Sequence, residues 1–418
     1  MPAGDNVLIL GATTNQIPLV RRVQAMGFRV VVAAAGDMSA CNGVADELVA
    51  IDTSDREAIL ALARAKDVRG LVTCGTSTAI CTIAWVNEQL DCKQTVIPHH
   101  VALAATYKNH VRTVLAPLGL ATAGFSTGSI EEGIEHAATL ASPVMVKASD
   151  GGGGKGIHLV DARDSDALAE AIRASLAFSQ IGSVVIEEYL DGIVFGVESI
   201  TLDGRTHVLA VPEKQITGIN RCVTAGIFFP SSGLAPHMDR ITEANAATIK
   251  ALGIHWGPTH IDMILDPATG RIAVIDVGAR LAGGDLGWAL IPAATGYDLY
   301  GATIDLALGV VPPPPRGDAA TVQDGIYASH FVTTDACGTL RHIEVDRTRL
   351  PRLAKDGAWT VLKRPGDRVS GNLNDSDRLV AFALKAHDAA DLSRQVQRAN
   401  EAVTLEIDVV CPLKSGPP

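Results

Sequence analysis

Apolar and polar positions alternate with two different periods along this chain. Residues 7–10, Val-Leu-Ile-Leu, form an apolar run ended by Gly11-Ala12-Thr13-Thr14-Asn15. An amphipathic stretch through Met26 follows, and then a β-branched run over 28–35. That order predicts a strand, a turn, a helix and a second strand. Strand patterns recur at 48–51 and 70–74, with helical spacing over 55–65 between them. Strands separated by helix-length segments point to a parallel sheet with crossover helices. The first loop is not G-x-G-x-x-G, so a dinucleotide site there has little support, although a helix start can still hold an anion.

From about residue 101 the pattern changes. Residues 108–118 predict a helix ended by Gly119, and 143–147 predict a strand that runs into a glycine-dominated loop. Beyond it come a strand in Ile157-His-Leu-Val160, an amphipathic helix over 164–178 and a strand at 184–188. Strands at 259–265 and 272–277 flank Asp266-Pro-Ala-Thr-Gly270, a turn-rich link suited to an antiparallel hairpin. Four consecutive prolines within 310–316 predict extended chain and a boundary. The remainder offers strands at 327–332, 359–362, 379–384 and 406–410, with a helix over 389–403.

Length and composition narrow the class. At 418 residues, 47% hydrophobic and 19% charged, the chain fits about two to three globular domains. Thirty-five Lys+Arg against 46 Asp+Glu give a formal charge of −11, which repels nucleic acid in the absence of a basic patch. Seven cysteines, Cys41, Cys74, Cys81, Cys92, Cys222, Cys337 and Cys411, form no C-x-x-C pair. Neither a zinc ribbon nor a disulfide framework is favoured, and a reducing cytoplasm is the expected location. No secretory leader and no apolar run of about 20 residues is visible, so no membrane association is expected.

Chemistry concentrates in Pro143-Val-Met-Val-Lys147-Ala-Ser-Asp-Gly151-Gly152-Gly153-Gly154-Lys155-Gly156. A lysine ending a buried strand, then a loop without side chains and a second lysine, let backbone N–H groups approach polyphosphate while ammonium groups neutralise it. The spacing is wrong for a Walker A loop. A flexible turn is the competing reading of the glycine run.

Downstream, alternation along Val274-Ile-Asp276-Val-Gly278-Ala-Arg280 puts 276, 278 and 280 on one face if the strand continues, with Asp262 opposite on the partner strand. Two facing carboxylates beside an arginine suit a magnesium ion bridging phosphates and a guanidinium holding a developing anion. Taken one at a time, each acid is more simply a turn or solvated residue.

The order of these motifs resembles the ATP-grasp superfamily, and within it the carboxylate-amine ligases that include L-amino acid ligases. The resemblance implies an α/β and α+β architecture. Residues 1–100 would be a Rossmann-like parallel-sheet domain, 101–312 the two-subdomain ATP clasp with a mobile part at about 120–190, and 320–418 a small C-terminal α+β domain. It implies ATP and Mg2+, or Mn2+, as cofactors. Lys108 and Lys147 would contact phosphates, and Gly152, Gly153, Gly154, Lys155 and Gly156 would form a flap over them. Glu187-Glu188-Tyr189-Leu190 would be the adenine hinge, Asp262 and Asp276 the metal ligands, and Arg280 the anion stabiliser. The superfamily usually has Glu where this chain has Asp262 and Asp276, and often Asn where it has Gly278. Val194 stands where a ribose-binding Glu is common, while Glu198 keeps the last acid of that pattern.

The activity so implied is attack of a small carboxylate, an amino acid, on the γ-phosphate of ATP, followed by displacement of phosphate by an amine. Its partners would be the small-molecule carboxylate and amine, with a homodimer as the expected assembly. An ATP-dependent carboxylase, a phosphoribosyl-substrate ligase and a nucleotide-binding module without turnover are the alternatives. His255 and His260 read as structural histidines, and Glu213, Lys214, Arg221 and Asp285 read equally well as solvated charge.

Overall fold

The computed structural model describes residues 5–90, 97–218, 220–317, 325–355 and 357–412. Cys92 lies outside the described residues. The first apolar run forms Asn6–Leu10, which pairs in parallel with Arg29–Ala34 on one side and Val68–Val72 on the other. Glu47–Ala50 completes this four-stranded sheet. Val7, Ile9, Val30 and Val32 enter one core, and Leu8, Leu10, Val31 and Ala33 enter another. Both faces are therefore covered, which is why the strand reads as unbroken apolar sequence rather than alternation. The helix Arg56–Ala65 starts where the Asp55 carboxylate accepts the Ala58 N–H.

A second four-stranded sheet, antiparallel throughout, runs Gly124–Thr127, Val184–Glu188, Val144–Ala148, Ile157–Val160. The helices Ile130–Ala137 and Ser165–Leu176 pack against it, capped by Ser129 and Asp164.

The largest sheet has nine strands. Its order is Ile272–Gly278, Gly257–Leu265, Ile193–Leu202, Glu213–Thr217, Val223–Phe229, Ile326–Val332, Val380–Ala386, Trp359–Val361, with Arg205–Ala210 pairing Ile193–Leu202. It takes strands from both sides of the proline run. Three further strands, Arg368–Ser370, Ala336–Val345 and Val403–Pro412, form a separate small sheet.

Several elements escape the periodicity. Ile193–Leu202 carries Gly196, Glu198 and Ser199 among apolar residues, yet eight of its ten positions are buried. Burial on both faces removes the alternation that would mark it. The helix Met238–Ala251 buries Asn245 and Thr248 along with Ile241, Ala244 and Ile249, which blurs its apolar stripe. Among the described residues, no helix is long and apolar enough to cross a membrane.

Candidate active site

The antiparallel sheet at 124–188 and the nine-stranded sheet face each other across a cavity of about 300 Å³. Met145, Ile193, Ile264 and Ile275 give it apolar walls, and Lys147, Glu187, Lys214 and Arg221 give it a charged side. An apolar slot with a few convergent polar groups is the usual form of a small-molecule site. Glu188, Tyr189 and Leu190 also line it.

Lys147, next to last in the strand Val144–Ala148, is almost fully buried, and its ammonium donates to the Glu187 carboxylate. Arg112 donates to the same carboxylate through Nε at 2.7 Å and Nη2 at 3.2 Å, and the Thr122 hydroxyl donates to it as well. Burial works against the Glu187 charge, but Arg112 and Lys147 outweigh it and hold the carboxyl well below the usual carboxylate range. Burial also pulls the Lys147 ammonium below the ordinary lysine value, against the attraction of Glu187. Glu187 thus serves by its side chain, as the counter-ion that keeps a buried lysine aimed at the cavity. The Glu188 carboxylate turns elsewhere, to Arg271 Nη2 at 2.6 Å and the Ala123 N–H at 2.8 Å. The Tyr189 N–H donates to Pro143 O at 3.2 Å.

Asp262 and Asp276 do not line this cavity; they sit opposite each other in the antiparallel register, with Asp262 paired to the lining residue Lys214. Directly opposed residues have Cβ atoms roughly 5 Å apart, within reach of a shared ion. Each already has a cation beside it. Lys108 Nζ lies 3.2 Å from Asp276 Oδ1 and also donates to Gly151 O at 2.7 Å. Lys214 Nζ lies 2.5 Å from Asp262 Oδ1, and His260 Nε2 lies 3.1 Å from the same atom. The other imidazole nitrogen of His260 meets the buried Glu198 carboxylate. Burial disfavours the charged imidazole, yet Glu198 and Asp262 overcome it and raise His260 to about 9. Asp262 is held well below the carboxylate range by Lys214 and His260 against the effect of burial.

The donor set fits magnesium. Two hard carboxylate oxygens from adjacent strands are what a Mg2+ ion takes from protein when phosphate oxygens and water supply the rest. Among the described residues no group of three or more His, Cys, Asp or Glu is arranged to hold a metal unaided. Asp262 and Asp276 would therefore hold the ion together with a nucleotide.

Arg280 departs from simple alternation, because the strand Ile272–Gly278 ends before it. Its guanidinium instead donates from Nε to Ser77 Oγ at 3.1 Å and from Nη1 to Leu281 O at 2.9 Å. A Cβ on Gly278 would lie 3.2 Å from Arg280 Cζ, so glycine leaves room for the guanidinium to fold back toward the Asp276 face. Leu281 in turn bridges to Cys74, which ties this turn to the parallel sheet.

The glycine loop is ordered by backbone. Gly153 and Gly154 adopt φ of 63° and 75°, which L side chains rarely accept. Lys155 is exposed at the outer side of the loop, and Gly156 is buried.

Residues 107–311 match the family described as carbamoyl-phosphate synthase L chain, ATP binding domain. The large chain of carbamoyl phosphate synthase from Thermus thermophilus is 30% identical over 197 residues, 44% of this chain and 18% of that one. The match thus spans under a fifth of that relative's length. The L-amino acid ligase of Bacillus licheniformis superposes with a TM-score of 0.76 at 18% identity, covering 98% of this chain and 100% of that one. The chain has the ATP-grasp fold. The biotin carboxylase domain of Hydrogenobacter thermophilus 2-oxoglutarate carboxylase, solved with MgADP and bicarbonate, superposes at 0.74 with 17% identity over 97% of this chain and 92% of that one. These likenesses establish a shared architecture.

Four residues of the site carry little or no local signal. Lys214 and the exposed Arg221 both line the cavity, and Lys214 is half-buried and ion-paired to Asp262. His260, structural in the sense that both its nitrogens are engaged, joins Glu198 to Asp262. Arg112 sits 75 residues from its partner Glu187. Asp285 is not solvated either: it is 3% exposed, accepts from Ser329 Oγ at 3.1 Å, and is pushed up to about 6 by burial. His255 stays outside the site, with its carbonyl accepting the Gly204 N–H at 2.9 Å.

Proposed function

We propose that this ATP-grasp protein is an ADP-forming carboxylate-amine ligase that uses MgATP, or MnATP, to join a small carboxylic acid, an amino acid, to an amine. The observation that carries the reading is the Asp262–Asp276 pair with Lys214 and Lys108 on its two acids, together with Lys147 on the cavity wall and Arg280 following the same hairpin. Three ammonium groups and a carboxylate pair are poor company for a neutral ligand and good company for a triphosphate with its cation. The cavity's apolar walls beside residues 187–190 accept the base, leaving the triphosphate toward Lys147 and the glycine loop.

The chemistry asks the protein chiefly to position and neutralise. A carboxylate oxygen attacks the γ-phosphorus, the bond to the bridging oxygen breaks, and ADP leaves. The amine nitrogen then attacks the acyl carbon and loses a proton, and phosphate departs with the electron pair of the broken C–O bond. Bound Mg2+ would supply charge neutralisation at the phosphate oxygens. Arg280 holds the carboxylate and then the oxyanion, a task for which a planar guanidinium fork is suited. Lys147 stays aimed at phosphate because Glu187 fixes it.

Phosphate release from purified protein with MgATP and pooled amino acids and amines tests the reading, with amide products identified by mass spectrometry. Amide formation requiring both substrates is expected. ADP formation that depends on bicarbonate and yields no amide would replace it with the carboxylase reading.

A further inference from the structure

The glycine loop does not rest on its own sheet alone. The Asp375 N–H donates to Gly153 O at 3.1 Å, and the Cys222 thiol lies 3.8 Å from Gly154 O and 3.5 Å from Leu373 O. Asn374 packs directly beneath the loop, since a Cβ on Gly154 would lie 3.5 Å from its Cα and 3.2 Å from Cys222 O. At the near end, Lys108 Nζ donates to Gly151 O. Three carbonyls of one short loop therefore meet partners from three separate parts of the chain.

The segment that receives the loop is itself braced. The Asp377 carboxylate accepts the Ser370, Leu373 and Asn374 N–H groups at 3.0, 2.8 and 3.3 Å, which fixes the turn. Asp375 Oδ1 accepts the Thr224 N–H at 3.1 Å and Arg378 Nη2 at 2.5 Å. Arg378 also donates through Nε to Thr224 O at 2.9 Å and lies 4.0 Å over the Phe331 ring. Charge-assisted bonds in a half-buried setting hold geometry better than exposed ones. A surface turn with no task needs no such bracing.

From this we infer that the turn at 372–378 is the seat of the glycine loop, and that Asp375 is a positioning residue which holds the loop over the triphosphate. The inference rests on the nucleotide reading of the cavity. Seating by backbone donation leaves the loop free of side-chain demands, so its remaining N–H groups stay available to phosphate. It also makes closure depend on the C-terminal part of the chain, roughly 220 residues from the loop.

Asp375 is the first residue of the short helical turn Asp375–Asp377, and Asn374 before it is extended, with φ −157° and ψ 175°. Proline is tolerated at such a position and after such a residue. Asp375→Pro therefore removes the N–H that reaches Gly153, whereas Asp375→Ala removes the carboxylate and keeps the N–H. Hydrogen exchange of residues 151–156 in the full-length protein without nucleotide is the first measurement. Exchange should be about 3- to 10-fold faster in Asp375→Pro than in Asp375→Ala, the range of one net hydrogen bond, with the strand Val144–Ala148 unchanged. The second measurement is binding of a non-hydrolysable ATP analogue, expected to weaken by a similar factor in Asp375→Pro. Should that variant not fold, Arg378→Lys, which cannot fork between Asp375 and Thr224, should loosen the same loop. Unchanged loop exchange in the folded variants overturns the seat. A loosened loop with unaltered analogue binding overturns the positioning role while leaving the ligase reading to its own test.

Discussion

Lys214 and Lys108 pair with the facing carboxylates Asp262 and Asp276, one lysine to each acid. The arrangement balances two negative charges before any cation arrives. Under the nucleotide reading, Asp262 and Asp276 would hold the cation, and Lys108 and Lys214 would turn from these acids to phosphate oxygens.

Asp276→Asn and Asp262→Asn should both depress turnover by at least about tenfold, the cost of a charge-assisted contact, while leaving nucleotide affinity within a few-fold. Titration calorimetry beside steady-state kinetics separates the two effects. Full turnover in Asp262→Asn would show that Asp262 serves only to hold Lys214 and His260.

Lys147→Ala should lower kcat/KM for ATP by about 10- to 100-fold, because no neutral residue replaces an ammonium at a phosphate. The fold should survive, since Arg112 still compensates Glu187. Activity within a few-fold of the parent would remove Lys147 from the site.

Arg280→Lys should keep nucleotide affinity and lose about two to three orders of magnitude in turnover, the usual cost of removing a preorganised oxyanion donor. If Arg280 merely ties Ser77 to Leu281, the variant should lower the melting temperature and leave turnover close to normal.

His260 gives stability a signed dependence on pH. Its folded value of about 9 stands above the unfolded value of 6.5. Its contribution is therefore complete below pH 6.5 and is lost as pH rises through about 9. His260→Gln should narrow the fall in melting temperature across that window. Parallel melting curves for parent and variant from neutral pH to pH 9.5 would reject the Glu198–His260–Asp262 network as an ionic one.

The parts of this site that the sequence shows are those whose chemistry is local. Lys147 and the glycines stand in one continuous stretch, and Asp262 and Asp276 follow from alternation across a single hairpin. Lys214, His260 and Arg112 acquire their roles only when strands and helices distant in sequence pair. Glu187 shows a subtler limit: its place in the hinge is legible, but the use of its side chain depends on Arg112 and Lys147 arriving together. Arg280 reaches its position through a turn and a serine, where strand alternation had suggested a simpler route.

The large sheet places Ile326–Val332 directly against Val223–Phe229. A recombinant fragment stopped at the proline run would keep the cavity-lining residues but leave Val223–Phe229 as a bare margin, offering unpaired amides and an apolar face to any neighbouring chain. Truncation would thus trade a buried seam for a sticky one. A well-behaved fragment should therefore need the last hundred or so residues, even though they contribute none of the lysines paired with Asp262, Asp276 or Glu187.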